Sequence, residues 1–116
     1  MNTVNRKQLP HEIILGRLKQ MGLGKIEVCH FRRNKGDGKY NPAGYYRDAR
    51  MQYAIDPKGG YTFTAVAINN NNVISATADC SKNDIFNRRR GLTIALRRLY
   101  KKVLENKNEI QIEKAN

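Results

Sequence analysis

The chain has no tryptophan, two cysteines, two histidines and ten acids set against 22 lysines and arginines in its 116 residues. Each shortage closes off a class of protein. Acids this sparse do not supply the clustered carboxylates of a metal-dependent nuclease. His11 and His30 stand in no metal-ligand spacing such as HxxxH, and the adjacent Cys29 and His30 would point to opposite faces of a strand. No metal, no cofactor and no catalytic constellation is therefore expected, and the chain reads as a binding protein, not an enzyme. Cys29 and Cys80 are isolated and read as buried free thiols, not a disulfide. No apolar run approaches the roughly eighteen residues of a membrane span. The opening MNTVNRKQLP has no apolar core of signal-peptide length, so a cytoplasmic product with no membrane partner is expected. GxxxxGK[ST] is absent, which removes the P-loop nucleotide binders.

What is present in excess is positive charge. The formal net charge is +12 and the isoelectric point is near 10.1. Such a surface attracts polyanions: RNA, DNA, a free nucleotide or an anionic membrane all have the right sign. The length suits one hydrophobic core, so residues 1–116 are read as a single α+β domain with a loose N-terminal arm (1–8) and a polar tail (106–116).

The charge concentrates in DCSKNDIFNRRRGLTIALRRLYKKVL, residues 79–104, where eight Lys or Arg between Lys82 and Lys102 face one acid, Asp84. Ser81 and Asp84 have the form of a capping box, which predicts a helix starting near Lys82. At about 100° per residue, Ile85, Leu92, Leu96, Leu99 and Val103 form one stripe for the core. Arg90, Arg97, Arg98 and Lys101 point away from it, and a solvated face suits Arg97, Arg98, Lys101 and Lys102. Arg88 and Arg89 fall on the stripe's edges, close to the helix start. Three consecutive arginines repel one another unless a phosphate-rich partner compensates. Ile94 points opposite the stripe, as an exposed apolar residue at a subunit contact would.

Ahead of this helix the chain divides by its turn residues. Pro10 opens a helix through HEIILGRLKQM, which Gly22 and Gly24 end. Ile26–Arg32 reads as a strand and RRNKGDGKYNPAG as a mobile surface loop. Gly36 and Gly38, beside Lys35 and Lys39, suggest a phosphate-cradling nest, although a plain connection suits them better. Tyr45–Ile55 alternates as a strand, Asp56-Pro-Lys-Gly-Gly60 turns, and Tyr61–Ile68 follows as the next strand. Asn69–Asn72 turns again through left-handed asparagines, and Val73–Ala78 closes an antiparallel meander. Ile110 and Ile112 alternate and suggest an added edge strand. The expected fold is α+β: an antiparallel four-stranded sheet with an N-terminal helix and a long basic C-terminal helix. Around the sheet, Tyr40, Tyr45, Tyr46, Tyr53, Tyr61 and Phe63 interleave with Arg32, Arg33, Lys39, Arg47 and Arg50. Base stacking and phosphate pairing use that mixture.

Ser81, Asp84, Phe86, Arg88 and Gly91, followed by Ala95-Leu96 and Arg98, resemble a pattern found in small phage proteins: the Thoeris anti-defence signal-sequestering family, the first kind described. The likeness covers about a quarter of the chain in motif and most of it in layout. It implies a protein of the infected bacterial host's cytoplasm that binds a cyclic ADP-ribose immune signal without cleaving it, and holds this small phosphate-containing ligand between the protomers of a homo-oligomer. It further implies an aromatic ring on the base, for which Tyr61 stands at a suitable spacing. A strand-end asparagine follows, with Asn71 in that place and Asn70 and Asn72 as alternatives. Arg88 would take the phosphates. One turn later the pattern has a second arginine where this chain has Leu92. Some such proteins also resemble sponges for cyclic oligonucleotides, and Arg89 with Arg32 or Arg33 would serve that second site. Apart from the resemblance, the residues suggest a basic nucleic-acid-binding module for double-stranded RNA or single strands. A third class is an inhibitor that blocks an acidic protein.

Overall fold

The computed structural model describes residues 8–106. The elements run α1 (Pro10–Gln20), β1 (Ile26–Arg33), β2 (Tyr40–Pro42), β3 (Tyr61–Ala67), β4 (Val73–Asp79) and α2 (Arg88–Glu105), with 3-10 turns at Ala43–Tyr46 and Ala49–Ala54 between β2 and β3. The strands form one antiparallel sheet in the order β2-β1-β3-β4. An α+β fold with a helix at each end is what the sequence predicts. Ile110 and Ile112, and most of the N-terminal arm and polar tail, lie outside the described residues.

α1 begins at Pro10, whose missing N–H costs nothing at the first helical position. The Glu12 carboxylate accepts the Leu9 N–H at 3.3 Å. Gly22, at φ 70°, carries the chain out. The register sets His30 against Thr62 and Thr62 against Ala78. Strand alternation then gives one face to Ile26, Val28, His30, Arg32, Thr62, Thr64, Val66, Ile74, Ala76 and Ala78. α2 lies across this face over β3 and β4, and α1 packs on α2. Ile14, Leu18, Val66, Ala76, Leu96, Leu99 and Val103 make one core cluster. Leu96 and Leu99 are 1% and 0% exposed, and burying such side chains stabilises by about 1.5–3 kcal/mol each. Gly91 lets the helix settle this close: a Cβ there would lie 2.5 Å from Thr62 Oγ1.

Along β4, Arg98 and Lys102 stay exposed as a solvated face requires but are tied to the strand, and the reading of Ile94 as exposed is corrected. Arg98 Nη1 donates to the Thr77 carbonyl at 2.8 Å and Lys102 Nζ to the Ser75 carbonyl at 2.7 Å. Four residues of helix and two of strand both span roughly 6 Å, so the two cations step along the edge strand in register and occupy acceptors that another chain would otherwise pair with. Ile94, one helical turn before Arg98, is half-buried at the end of this row.

Three further expectations fail, each for a tertiary reason. The basic helix starts at Arg88, not near Lys82. Ser81 and Asp84 form a turn instead, with Asn83 N donating to Ser81 Oγ at 3.3 Å and Asp84 N to the Ser81 carbonyl at 3.0 Å. The 56–60 turn then captures the chain: Gly59 N donates to the Asp84 carbonyl at 3.0 Å and Phe86 N to the Pro57 carbonyl at 2.9 Å. Asn87 becomes the N-cap, its Oδ1 accepting the Arg90 N–H at 3.0 Å. Ile85, expected in the core stripe, is therefore 72% exposed.

Tyr45–Ile55 is not a strand. Asp48 caps a 3-10 turn by accepting from Arg50 N at 2.9 Å, and the Arg50 guanidinium closes on the same carboxylate at 3.0 Å. Tyr46 is wholly buried, with its hydroxyl against the Arg32 carbonyl at 3.4 Å, while Tyr53 is 77% exposed. The fourth strand comes from the expected mobile loop, as Tyr40–Pro42 pairs with Phe31–Arg33. β1 thus stands between β2 and β3, and the meander reduces to the β3–β4 pair. Finally, among the described residues the asparagine turn uses no left-handed residue. Asn69 Oδ1 accepts from the N–H of Asn71 and of Asn72 at 2.8 and 2.9 Å.

Candidate anion-binding site at the start of the basic helix

β1 reaches past the edge of α2. Its last residues therefore meet the start of the helix, the 56–60 turn and the 84–87 segment at one end of the sheet. His30 and Arg32, two apart on β1, share the helix face. The Arg32 guanidinium lies 4.5 Å from the centre of the Phe86 ring, and its Nη2 reaches the Asp56 carbonyl at 3.4 Å. Its Nε is buried with no partner. Burial holds the Arg32 pKa below its ordinary value, and Arg88 adds to the lowering, against the opposing effects of Tyr46, Asp56 and Cys80.

His30 is buried, with Nδ1 2.8 Å from Thr62 Oγ1 and its ring edge-on to Phe86 at 5.9 Å. Burial lowers its pKa first, then Arg88, then Arg32. Arg88 thus acts on both β1 side chains across the gap. Arg88, Arg89 and Arg90 occupy the exposed first turn of α2, which holds no acid. The helix dipole adds to their field instead of opposing it. Arg33 faces the other side of β1 and is 3.9 Å from the Asp56 carboxylate.

A neutral His30 has a consequence for stability. The unfolded chain titrates this group near pH 6.5, whereas the folded protein resists its protonation. The unfolded state then binds more protons as pH falls through that value, so the contribution is full above it and is lost below. Urea melts of the wild type should lose stability between about pH 7 and pH 5, and those of His30→Gln should lose less. Parallel slopes in the two proteins would mean that the imidazole is not held neutral.

The expected site residues divide into three places. Arg32 and Arg88 come together, with Arg89 beside Arg88 in the helix start. Tyr61 lies on the opposite face, its ring stacked on Phe31 at 4.6 Å, and Arg33 shares that face. Asn71 is exposed in the β3–β4 turn, at the other end of a strand roughly 20 Å long. One chain does not bring Tyr61 and Asn71 to Arg88. The Gly36–Gly38 loop is no free nest either: Asn34 Oδ1 takes the Gly36 N–H at 2.8 Å, Asn34 O the Gly38 N–H at 2.9 Å and Asp37 Oδ1 the Lys39 N–H at 2.9 Å. Sequence reasoning misses His30, Phe86 and Asp56 as parts of the site. The parity of His30 with Arg32 is the signal available for the first of them.

On the other flank of the helix start lies a cleft of about 400 Å³, lined among others by Asp79, Ser81, Asp84, Asn87, Arg90 and Ile94. Two carboxylates oppose one guanidinium there, so it suits a phosphate less well than the Arg32–Arg88 side. Among the described residues no three of His, Cys, Asp and Glu gather as a metal site, and no helix is long and apolar enough to cross a membrane. Comparisons with protein-family models, with curated proteins and with solved structures found no match to this chain.

Proposed function

We propose that this chain binds and holds a phosphate-bearing cyclic nucleotide signal, of the cyclic ADP-ribose type, without cleaving it, and that it does so as a phage anti-defence protein in the cytoplasm of an infected bacterium. The observation that supports this reading is the Arg32 guanidinium, 4.5 Å from the centre of the Phe86 ring with its Nε buried and unpartnered, at the end of the sheet that meets the three exposed arginines of the helix start. Arg32 is partly desolvated beside three exposed arginines, and such a charge is costly without an anion. A phosphate compensates best, because a guanidinium presents paired donors to two of its oxygens. The Phe86 ring beneath Arg32 restricts that side chain, so less of its freedom is lost on binding, and Asn87 caps the helix turn that carries Arg88.

The ligand class rests on the likeness of Ser81, Asp84, Phe86, Arg88 and Gly91 to the Thoeris anti-defence proteins, with Leu92 standing where a second arginine occurs. Tyr61 and Asn71 are remote from Arg88 within one chain, so a ligand using all three spans two copies, and the reading requires a homo-oligomer. Native mass spectrometry of the purified protein, after incubation with extract from cells producing the immune signal, should find a dimer or higher assembly carrying a small discrete added mass. A monomer with no retained small molecule would sink the proposal.

A further inference from the structure

The face of the sheet turned away from the helices carries Glu27, Cys29, Phe31 and Arg33 of β1, Tyr40 of β2, Tyr61, Phe63, Ala65 and Ala67 of β3, and Val73, Ser75, Thr77 and Asp79 of β4. Among the described residues neither α1 nor α2 packs on it. Phe31 and Tyr61 stack with ring centres 4.6 Å apart and planes 11° from parallel, and Tyr40 adds a third ring 5.6 Å from Tyr61. Tyr40 is 39% exposed, and Phe31, Tyr61 and Phe63 are half-buried, with Phe31 and Tyr61 each covering one face of the other. The cations lie at one end. The spot that a side chain on Gly59 would occupy is 3.8 Å from the Tyr40 hydroxyl, 3.9 Å from the Lys82 Cα and 4.0 Å from Arg33 Cδ. Of the carboxylates near the face, Glu27 is 3.9 Å from Lys25, Asp79 stands across from Tyr61, and Asp56 is 3.9 Å from Arg33, a loose pair that a phosphate would displace.

We propose that this face binds single-stranded nucleic acid, stacking unpaired bases on Phe31, Tyr61 and Tyr40 while Arg33 and Lys82 take the backbone phosphates. The inference does not rest on the Arg32–Arg88 site, which lies on the other face, although it uses Tyr61, the ring that the proposed nucleotide pocket takes from a second copy. Three adjoining rings offer more stacking surface than a single base uses, and a strand threading across them presents roughly two successive bases. A duplex keeps its bases stacked on one another and has none to offer the rings. The net charge of +12 supplies attraction to any nucleic acid, and the rings select the unpaired form.

The test uses the full chain with a ten-nucleotide oligothymidylate and a mixed-sequence duplex of equal length, each labelled for fluorescence anisotropy. The single strand should bind at least ~10-fold more tightly than the duplex. Tyr40→Ala and Tyr61→Leu should each weaken it by about 10-fold, in the range for loss of one stacked base, whereas Tyr61→Phe should keep it. Between 50 and 200 mM salt the affinity should fall roughly 7-fold, as the two phosphate contacts of Arg33 and Lys82 to a single strand require. Equal affinity for the duplex, or ring substitutions without effect, would overturn the proposal. So would a wild-type dimer that becomes monomeric on Tyr40→Ala and has no affinity for the oligonucleotide, because a second copy would then be what covers the rings.

Discussion

Arg88→Ala should weaken binding of the phosphate-bearing ligand by about 30- to 150-fold, or about 2–3 kcal/mol, the range for a hydrogen bond to a charged group. Arg88 sits in the first turn of α2, where the helix dipole favours the same anion, and it is close enough to His30 and Arg32 to shift both. Removing it leaves Arg32 as the one guanidinium facing His30, and the bidentate grip on two phosphates reduces to a grip on one. Arg88→Lys keeps the charge but loses the planar fork, so most of the loss should persist. The fold should survive, because Leu96, Leu99 and Val103 still bury the helix. Arg98→Ala is the control. Arg98 spends a donor on the Thr77 carbonyl along β4 and lies three turns from the site, so calorimetry against the same ligand should register little change. Equal losses at Arg88 and Arg98 would identify a diffuse basic surface and refute a localised site.

Gly60→Ala should cost about 3–5 kcal/mol and lower the Tm by about 15 °C or more, from a strained backbone and an overpacked contact together. Gly60 has φ 101°, which a residue with a Cβ scarcely adopts. The added Cβ would stand 2.6 Å from the Phe31 carbonyl oxygen and 2.9 Å from Phe86 Cδ2. Phe86 cannot yield freely, since its ring packs against both the Arg32 guanidinium and the His30 ring. The damage should therefore reach the anion site as well as the stability. Gly16→Ala in α1 makes the opposite prediction. Nothing lies within 4 Å of its missing Cβ, and the substitution should stabilise by about 0.5–1 kcal/mol. Thermal melts of both variants beside the wild type check the pair, and a Gly60→Ala protein as stable as the wild type would show that the 56–60 turn has room to move.

Both sites are partly legible in the order of the amino acids. The arginines at 88 and 89 stand out because three in a row are unfavourable without a partner, and Tyr61 because of its place in an alternating strand. The gathering of Arg32, Arg88 and His30 is not legible there, since β1 and α2 are more than fifty residues apart and their proximity depends on the register of β1 with β3. Nor is the separation of Tyr61 from Arg88, because strand alternation decides faces only once a strand's partners are known.

Wherever local chemistry met no competitor, the sequence alone was sufficient. Pro10 and Gly22 bound α1, the apolar alternation of Tyr61–Ala67 makes β3, and Leu92, Leu96, Leu99 and Val103 at helical spacing make the buried stripe of α2. Where two local signals were nearly equal, long-range contacts chose between them. Ser81 and Asn87 are both good N-caps, worth about 1 kcal/mol either way. Backbone bonds from the 56–60 turn to Asp84 and Phe86 hold the intervening residues extended and give the helix to Asn87. Tyr45–Ile55 has the alternation of a strand without becoming one. Burial of Tyr46 and the Asp48 cap hold it in 3-10 turns, and β2 takes the edge of β1 instead. A cap or a period is a preference of about 1 kcal/mol, whereas a set of buried contacts and backbone bonds is worth several, so the tertiary structure decides where the two disagree.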